Sequence, residues 1–537
     1  MTAPAPPPDA TNPTDAQACS QHLRPEPGRL RLVDPRRRGN LGGKVVGVAN
    51  AGRRLHVGIS LPDTRHHLHV VGPTGTGKTS LLLRMILDDA AAGHGVAVFD
   101  SSAKSDLVRD ILDRLPADCG DRLVVIDPDE TQAPPAINLL DPAVGGSPHQ
   151  RAAHIASVMS KVWSRYWGHR TADIAHHALL TLAHTPGATL AQLPRLLSDT
   201  AWRRRRVTAV RRRLGAWEAA TLAEFWDGFE ELTPGSRASL TAPLLSKLRL
   251  VLAQPIAAHL LGVPATTFTL SDILDGGILL VRLPRGIIGD DGGRLIGSLL
   301  LAALWQATTA RAATPEANRL DAAIYLDEAQ HVTHLPIGLD DALAEARGLH
   351  TSFVLAHQYM GQLSDEIAQA IDANARNKIY FALAPDDATR LARHVTPYLD
   401  ADDLARLGGF EVALRPVADG HTIPPVTATT LPPPDPVPGR AEALRAAARR
   451  RTGLPEKHRR RLLAEYATAA RGPATATDHA SAAEKPAIGD RAAVTSDPDV
   501  TEYPDAGLVG HNTFTRHHGD AAAPTAATDP THASHTP

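Results

Sequence analysis

A glycine-rich stretch, GPTGTGKT at residues 72–79, constrains the fold of this chain more than any other feature. It follows the apolar run LHVV at residues 68–71 and precedes the amphipathic stretch SLLLRMILDDAAA. The stretch fits the pattern G-x-x-x-x-G-K-[ST], in which glycines let backbone N–H groups curl around phosphate oxygens. The positive end of the following helix adds to that site. The pattern therefore predicts a strand, a phosphate-binding loop and a helix in succession.

Several side chains in this stretch have predicted roles. Lys78 places a positive charge near the β- and γ-phosphates, and the Thr79 hydroxyl is a ligand for Mg²⁺. We expect ATP and Mg²⁺ to bind here. The predicted nucleotide-binding residues are Gly72, Pro73, Thr74, Gly75, Thr76, Gly77, Lys78, Thr79 and Ser80.

Short apolar runs bounded by polar turns recur along the chain. Helical patterns separate most of them, which is typical of a parallel sheet covered by helices on both faces. We therefore predict an α/β fold with a mostly parallel central sheet. A longer apolar stretch, residues 295–310, falls short of a membrane span and is predicted to be a buried core helix. The predicted strands are residues 68–71, 95–100, 122–127, 277–283, 322–328, 351–358 and 378–383.

The strand pattern is interrupted between residues 146 and 265, where the sequence has helical periodicity throughout. We predict an all-α domain inserted into a nucleotide-binding domain whose two parts are residues 41–145 and 266–435. Residues 1–40 are rich in Pro and Ala, and residues 436–537 contain a basic helical patch followed by a stretch with few large apolar side chains. Such composition buries too little apolar surface to offset the entropy of ordering, so both termini are predicted to be disordered.

Two adjacent acids, Asp327 and Glu328, end one of the predicted strands. Open α/β sheets bind ligands at the carboxyl ends of their strands. We predict that Asp327 holds Mg²⁺ through a water molecule and that Glu328 orients and polarises the attacking water, which favours hydrolysis of a nucleoside triphosphate. Adjacent acids after a strand are also common as helix caps. The presence of the glycine-rich loop favours the catalytic interpretation.

Two further polar residues end other predicted strands. Gln358 is predicted to sense the γ-phosphate, with a solvent-facing strand end as the alternative. Asp100 either lines the nucleotide site or caps the following helix. The sequence leaves these alternatives open.

The motifs together resemble those of a known group. HHLHVVGPTGTGKT, YLDEAQ and VLAHQ are similar to the motifs of the HerA/FtsK superfamily of RecA-like DNA-pumping ATPases. FDSSAKSDL is similar to a segment of the type IV coupling proteins, the TraD/TrwB group that feeds DNA into conjugation channels. The predicted helical insertion also lies where those proteins carry an all-α domain. The resemblance covers roughly residues 44–430 and implies a RecA-like P-loop NTPase fold.

The resemblance also implies partners. It implies a ring of identical subunits, a hexamer, with ATP bound between subunits and DNA drawn through the pore. An arginine from a neighbouring subunit would complete each site, and Arg376 and Arg347 are the candidates. Coupling proteins usually carry N-terminal membrane helices and this sequence shows none, so we expect a separate membrane or secretion-channel protein as partner. The expected location is the cytoplasm, with recruitment to the inner face of the membrane.

An arginine-rich segment, WRRRRVTAVRRRLG, lies in the predicted helical insertion. Its arginines either bind DNA phosphates in a salt-dependent manner or form a solvated helix face paired with acids. Trp163, Tyr166 and Trp167 could stack on bases, but aromatic residues at helical spacing are typical of a core. The predicted DNA-binding residues are Arg203, Arg204, Arg205, Arg206, Arg211, Arg212 and Arg213.

Composition narrows the possible functions. The formal net charge is −2, so contact with DNA depends on a local basic patch. Two cysteines exclude a disulfide scaffold and a cysteine-based zinc module, and no histidine cluster has the spacing of a metal site. We therefore expect an ATP-hydrolysing DNA translocase of conjugative or type IV secretion-type DNA transfer. The alternatives are a soluble HerA-like DNA-processing translocase and a DNA-independent, NTP-driven switch or assembly factor.

Overall fold

The computed structural model describes residues 43–50 and 54–471 of the chain. The strands in these residues are β1 (Lys44–Ala49), β2 (His56–Ile59), β3 (Leu68–Val71), β4 (Gly95–Asp100), β5 (Leu123–Ile126), β6 (Ile278–Arg282), β7 (Ala322–Asp327), β8 (Thr351–His357), β9 (Asn377–Tyr380), β10 (Glu411–Arg415), β11 (Val417–Ala418), β12 (His421–Thr422) and β13 (Val426–Thr430). Eleven of them form one sheet in the order β2-β1-β13-β10-β9-β3-β8-β7-β4-β6-β5, and β11 pairs with β12.

Strands β3 to β9 form the parallel part of this sheet. They are the seven strands predicted from the sequence, so the predicted fold class is confirmed. Side chains along β4 alternate between two hydrophobic clusters, with Val96 and Val98 on one face and Ala97 and Phe99 on the other. Both faces are therefore covered, which explains why the strands read as continuous apolar runs.

Strands β1, β2, β10 and β13 lie outside the predicted set and continue the sheet in antiparallel pairing. Strand β1 pairs with β13, so that Gly47 lies opposite Thr430. These strands are only four to six residues long, and the pairing of β1 with β13 joins parts of the described chain that are distant in sequence. Local periodicity therefore carries little signal for them.

Helices cover the sheet on both sides. The predicted core helix is present as α13, in which residues such as Leu300 and Leu304 are fully buried. The helices in the described residues are α1 (Leu61–Thr64), α2 (Lys78–Ala91), α3 (Leu107–Leu112), α4 (Pro148–Val162), α5 (His169–Ala183), α6 (Leu193–Ser198), α7 (Thr200–Arg211), α8 (Ala216–Glu231), α9 (Pro234–Leu252), α10 (Pro255–Leu261), α11 (Leu270–Leu274), α12 (Arg285–Ile288), α13 (Asp290–Ala310), α14 (Leu339–Gly348), α15 (Asp365–Asn374), α16 (Pro385–Leu391), α17 (Ala401–Ala405), α18 (Arg440–Thr452) and α19 (Glu456–Arg471).

Helices α4 to α11 lie between β5 and β6 without an intervening strand. Their apolar residues, including Trp202 and Trp226, belong to the same hydrophobic cluster as Phe99 of the sheet. The division of this segment into a separate domain stays a prediction. Across residues 43–50 and 54–471, no single helix is long and apolar enough to cross a membrane. Helices α9 and α10 have that length and apolar character only when taken together, and they are bent by 94° where they meet.

Helix α18 extends the packed part of the chain beyond residue 435, where the sequence placed the end of the nucleotide-binding domain. Its Leu444 is buried in the core on one face of the sheet. Its Arg445 lies 2.7 Å from Asp127, at the end of β5. Basic residues of the predicted helical patch thus dock onto the sheet. The predictions of disorder for residues 1–40 and for the segment after residue 471 fall outside the described residues.

Candidate functional site

The carboxyl ends of β3, β4, β7 and β8 meet along one side of the sheet, which we call the carboxyl edge. A cleft of about 540 Å³ opens there. It is lined by the glycine-rich loop, by the turn after β4, by Asp327, Glu328 and Gln358, and by Phe410. The loop residues that line it are Pro73, Thr74, Gly75, Gly77, Lys78, Thr79 and Ser80.

The glycine-rich loop depends on its glycines at specific points. Gly75 and Gly77 have φ angles of +87° and +112°, which side-chain-bearing residues rarely adopt. A Cβ atom on Gly72 would lie 2.9 Å from the side chain of Phe381. The Thr76 hydroxyl closes the turn by donating to a carbonyl within the loop. The loop thus curls tightly between β3 and α2, as the motif predicts.

Lys78 is the first residue of α2, and its side chain extends across the floor of the cleft. Its Nζ lies 3.3 Å from Oε1 of Glu328 and 3.6 Å from Oδ1 of Asp327. All three side chains are buried. The structure therefore brings together the lysine and the two acids, although about 250 residues separate them in sequence.

Glu328 has an unusual backbone and a well-defined set of donors. Its φ of +56° is strained for a residue with a side chain, at a typical cost of about 1–3 kcal/mol. Gln358 donates to its Oε1 at 2.7 Å, and Gln330 donates to its Oε2 at 2.8 Å. Burial acts to raise the pKa of Glu328, but the charge of Lys78 and these donors outweigh burial, and its pKa lies below the usual range. The carboxylate of Glu328 is therefore held in one orientation by its donors and stays charged.

Asp327 differs from Glu328 in its hydrogen bonding. Its Oδ1 is buried and accepts no hydrogen bond from any described residue. Burial raises the pKa of Asp327, and the charge of Glu328 adds to that effect while Lys78 opposes it. A buried carboxylate oxygen without a donor, in the same cleft as Thr79, fits the ligand preferences of Mg²⁺.

Asp100 ends β4 in register with Asp327. It is fully buried, and its Oδ2 accepts from the backbone N–H of Val108 in the first turn of α3, 3.4 Å away. The contacts of Asp100 are therefore those of a residue that caps the following helix. Burial, together with the charge of Asp327, raises the pKa of Asp100 to about 7. Its proton occupancy is thus coupled to the charges of the cleft.

Gln358 joins the loop to Glu328. Its Nε2 donates to Glu328, and its Oε1 accepts from the Thr74 hydroxyl at 3.2 Å. The solvent-facing alternative does not describe these contacts. Two residues that sequence reasoning left unassigned also belong here: Gln330, which orients Glu328, and Phe410, which lines the cleft from the loop before β10. Gln330 lies in the quoted motif YLDEAQ, whereas no sequence pattern marks Phe410.

Arg376 and Arg347 lie away from the cleft, at the side of the sheet where β3, β8 and β9 begin, which we call the amino edge. Arg376 is anchored within the chain, donating to the Gly420 carbonyl at 3.0 Å and lying 3.2 Å from Nδ1 of His66. Arg347 is exposed and lines a second pocket of about 400 Å³. Neither arginine forms part of the nucleotide cleft of its own chain.

Most of the arginine-rich segment lies in α7, with Arg212 and Arg213 just beyond its end, and its arginines do not form one surface. Arg203 is buried, with 1% of its surface exposed. Its Nε donates to Glu230 at 2.8 Å, and its Nη1 donates to the carbonyls of Leu196 and Leu197. The prediction that Arg203 binds DNA is therefore wrong, because its guanidinium is enclosed by its own chain.

The other six arginines of the segment differ from Arg203 in exposure. Arg206 is half-buried, with its guanidinium 5.1 Å from the ring centre of Trp202. Arg204 is exposed and pairs with Glu230 at 3.2 Å. The remaining exposed arginines are Arg205, Arg211, Arg212 and Arg213.

The aromatic residues near the start of the helical segment separate in the same way. Trp163 is buried and packs against Trp167, with ring centres 6.5 Å apart. Tyr166 is about half exposed, with Nζ of Lys247 4.7 Å from its ring centre. The core interpretation therefore describes both tryptophans.

No family model matches the chain, and no curated protein matches it. Several solved structures match the chain. The plasmid coupling protein TrwB in complex with ADP and Mg²⁺ has a TM-score of 0.51 and 16% identity, covering 78% of this chain and 97% of that chain. The conjugative coupling protein TrwBdeltaN70 in its trigonal form with sulphate has a TM-score of 0.52 and 16% identity, with the same coverage. VirB4 of Thermoanaerobacter pseudethanolicus has a TM-score of 0.51 and 14% identity, covering 73% and 97%. The chain therefore shares the RecA-like fold of these proteins.

Proposed function

We propose that this chain is an ATP-hydrolysing DNA translocase that works as a ring of identical subunits, a hexamer. The observation that carries the proposal is the convergence of Lys78, Asp327 and Glu328 in one cleft at the carboxyl edge. The shared fold with a conjugative coupling protein supports it, since TrwB binds ADP and Mg²⁺. The setting that we propose is conjugative or type IV secretion-type DNA transfer, with recruitment to the inner face of the membrane by a separate protein.

The chemistry follows from the side chains of the cleft. The loop N–H groups and Lys78 bind the phosphates, and Asp327 and Thr79 would hold Mg²⁺, which neutralises phosphate charge when bound. Glu328 is charged at neutral pH and accepts a proton from the attacking water. The water oxygen bonds to the γ-phosphorus as the bond to the β–γ bridging oxygen breaks, and ADP and inorganic phosphate are released.

Gln358 provides a route from this step to the rest of the sheet. It contacts both Glu328 and Thr74, and so joins the carboxylate to the glycine-rich loop. Loss of the γ-phosphate would change both contacts, and Gln358 directly follows the last residue of β8. We propose that this shift moves the segments that grip DNA.

The ring arrangement assigns a role to the amino edge. We propose that Arg347 of one subunit reaches the γ-phosphate bound by its neighbour, because its side chain is exposed and outside its own cleft. Arg376 is a weaker candidate, since the Gly420 carbonyl and His66 already hold its guanidinium.

The direct test is steady-state ATP hydrolysis by the full chain without DNA, with single strands and with duplex, using Lys78→Ala as the blank. We expect strong stimulation by DNA. Stimulation by single strands favours strand transfer in conjugation, whereas stimulation by duplex favours a HerA-like DNA-processing translocase. Turnover that ignores all DNA would overturn the translocase and favour the NTP-driven switch.

A further inference from the structure

Phe410 is an aromatic residue in a place where apolar side chains are costly. Half of its surface is exposed, and it lines the nucleotide cleft. Its φ is +64°, a backbone conformation that bulky residues rarely adopt. An exposed ring on a strained backbone at the rim of a binding cleft calls for a functional explanation.

The surrounding backbone holds Phe410 firmly. Its N–H donates to the carbonyl of Thr76 in the glycine-rich loop at 2.9 Å, and its own carbonyl accepts from the N–H of Thr430 in β13 at 2.8 Å. The ring lies directly against Gly77, since a Cβ atom there would be 2.7 Å from Cδ1 of Phe410. The position of the ring relative to the phosphate-binding loop is therefore fixed by two strands and the loop itself.

This position corresponds to one end of a bound nucleotide. The backbone of a loop of this type surrounds the α- and β-phosphates, and its lysine reaches the β- and γ-phosphates. Glu328 and Gln358, beside Lys78, mark the γ-phosphate end of the cleft. Phe410 instead contacts the loop at Gly77, and we infer that the ribose and base extend on this side.

We propose that the ring of Phe410 is the platform on which the base of the bound nucleotide stacks, an assignment that rests on the proposed nucleotide site. The neighbouring polar side chain, Glu411, is engaged elsewhere: its Oε1 accepts from Asn50 and its Oε2 from the Gly408 backbone N–H. Stacking uses the π face of the base, which every base offers. Adenine and guanine nucleotides are therefore expected to bind with similar affinity.

The test is calorimetric titration of the full chain, with Mg²⁺ present, using ADP, GDP and inorganic tripolyphosphate as separate probes. Phe410→Ala should weaken ADP and GDP binding by about 10- to 100-fold, because loss of one stacked base has effects of this order. Tripolyphosphate has no base, so its affinity should not change. Phe410→Trp should retain tight ADP binding, and Tyr166→Ala, an equally exposed aromatic in the helical segment, is the matched control.

The outcomes separate the platform from the site beneath it. Equal ADP affinity in wild type and Phe410→Ala would overturn the stacking role. Parallel weakening of ADP and tripolyphosphate would also overturn it, because the ring would then merely support the loop at Gly77. A wild-type chain that binds none of the three probes would instead contradict the proposed nucleotide site.

Discussion

The two edges of the parallel sheet are built from the same strands but treat polar groups in opposite ways. At the carboxyl edge, Asp327 keeps a buried oxygen without a hydrogen-bond donor, and Glu328 sits on a strained backbone. Burial and a neighbouring carboxylate raise the pKa of Asp100 to about 7. A cleft opens above these groups. The buried carboxylates at this edge, and the strained backbone of Glu328, therefore lower the stability of the fold.

At the amino edge, buried polar groups satisfy one another. The side-chain amide of Asn377 donates to the carbonyls of Asp63 and His67, and its Oδ1 accepts from the N–H of Val417. His67 also has a partner at each ring nitrogen: Nδ1 accepts from the N–H of Phe353, and Nε2 donates to a carbonyl of α14. These contacts hold the starts of the strands together.

The difference shows how to separate functional from structural charge in this molecule. Buried polar groups with complete partners, such as His67 and Asn377, stabilise the fold, as Arg203 does in the helical segment. Buried polar atoms that face a cleft and have no hydrogen-bond partner, such as Oδ1 of Asp327, are positioned for a ligand. In the proposed ring, Arg347 is the exception at the amino edge, because it is exposed and would act on the site of a neighbouring subunit.

The largest expected effect tests that exception. Arg347→Ala should lower ATP hydrolysis by about 10³-fold or more, because an arginine supplied to a transferring phosphoryl group typically contributes that much. If Arg347 acts on a neighbouring subunit, mixing Arg347→Ala with Lys78→Ala should restore part of the activity in mixed rings. Hydrolysis assays on each variant and on the mixture measure this. Normal turnover by Arg347→Ala would return the amino edge to a purely structural role.

The next effect concerns Arg203 in α7. Arg203→Ala should lower the free energy of unfolding by about 3–5 kcal/mol, because it removes a buried ion pair and leaves two carbonyls without donors. Arg205→Ala, the exposed control two residues away, should change it by less than about 0.5 kcal/mol. Urea unfolding measures both. Equal effects for the two variants would show that burial does not distinguish these arginines.

A smaller effect comes from His67. Burial lowers its pKa from 6.5 to about 4, and the Phe353 N–H leaves no room for a proton on Nδ1. Its neutral form is therefore stabilising above pH 6.5, and this contribution, about 3 kcal/mol, is lost as pH falls from 6.5 towards 4.

The measurement is urea unfolding between pH 4 and pH 8 for wild type and His67→Asn. Asparagine tolerates the backbone φ of +57° at this position, so the substitution fits the local conformation. The variant should lose less stability than wild type on acidification. Identical pH dependence in the two proteins would remove His67 from the titrating groups.

The smallest effect concerns the exposed arginines of the segment around α7. Replacing Arg205, Arg211 and Arg212 with Ala should reduce the slope of log affinity for DNA against log salt by about 2–3, since each phosphate contact contributes about 0.7–0.9. Hydrolysis without DNA should not change, because these residues lie outside the cleft. An unchanged slope would identify them as a solvated helix face.

Much of the nucleotide cleft could be predicted because its signals are local. The glycine-rich loop and each of the seven parallel strands are recognisable within about eight residues, and parallel topology brings the strand ends together. Gln358 and Glu328 were predicted in this way, and their direct hydrogen bond follows from adjacent strands.

The remainder depends on contacts between distant parts of the chain. Phe410 reaches the loop only because β10 and β13 extend the sheet, and those strands have little local signal. Arg203 belongs to the same run as the exposed arginines. Its burial depends on packing against distant residues such as Glu230, which lies 27 residues away in sequence. Side-chain burial is a tertiary property that a charge run does not encode.

The central claim is that the carboxyl edge hydrolyses ATP with Glu328 as the group that activates water. The most direct measurement is single-turnover hydrolysis of bound ATP by wild type, by Glu328→Gln and by the matched control Glu224→Gln, an exposed glutamate on α8. We expect Glu328→Gln to bind ATP as wild type does and to leave it uncleaved, slowed by at least about 10²-fold, whereas Glu224→Gln should turn over normally. Hydrolysis by Glu328→Gln at the wild-type rate would contradict this claim.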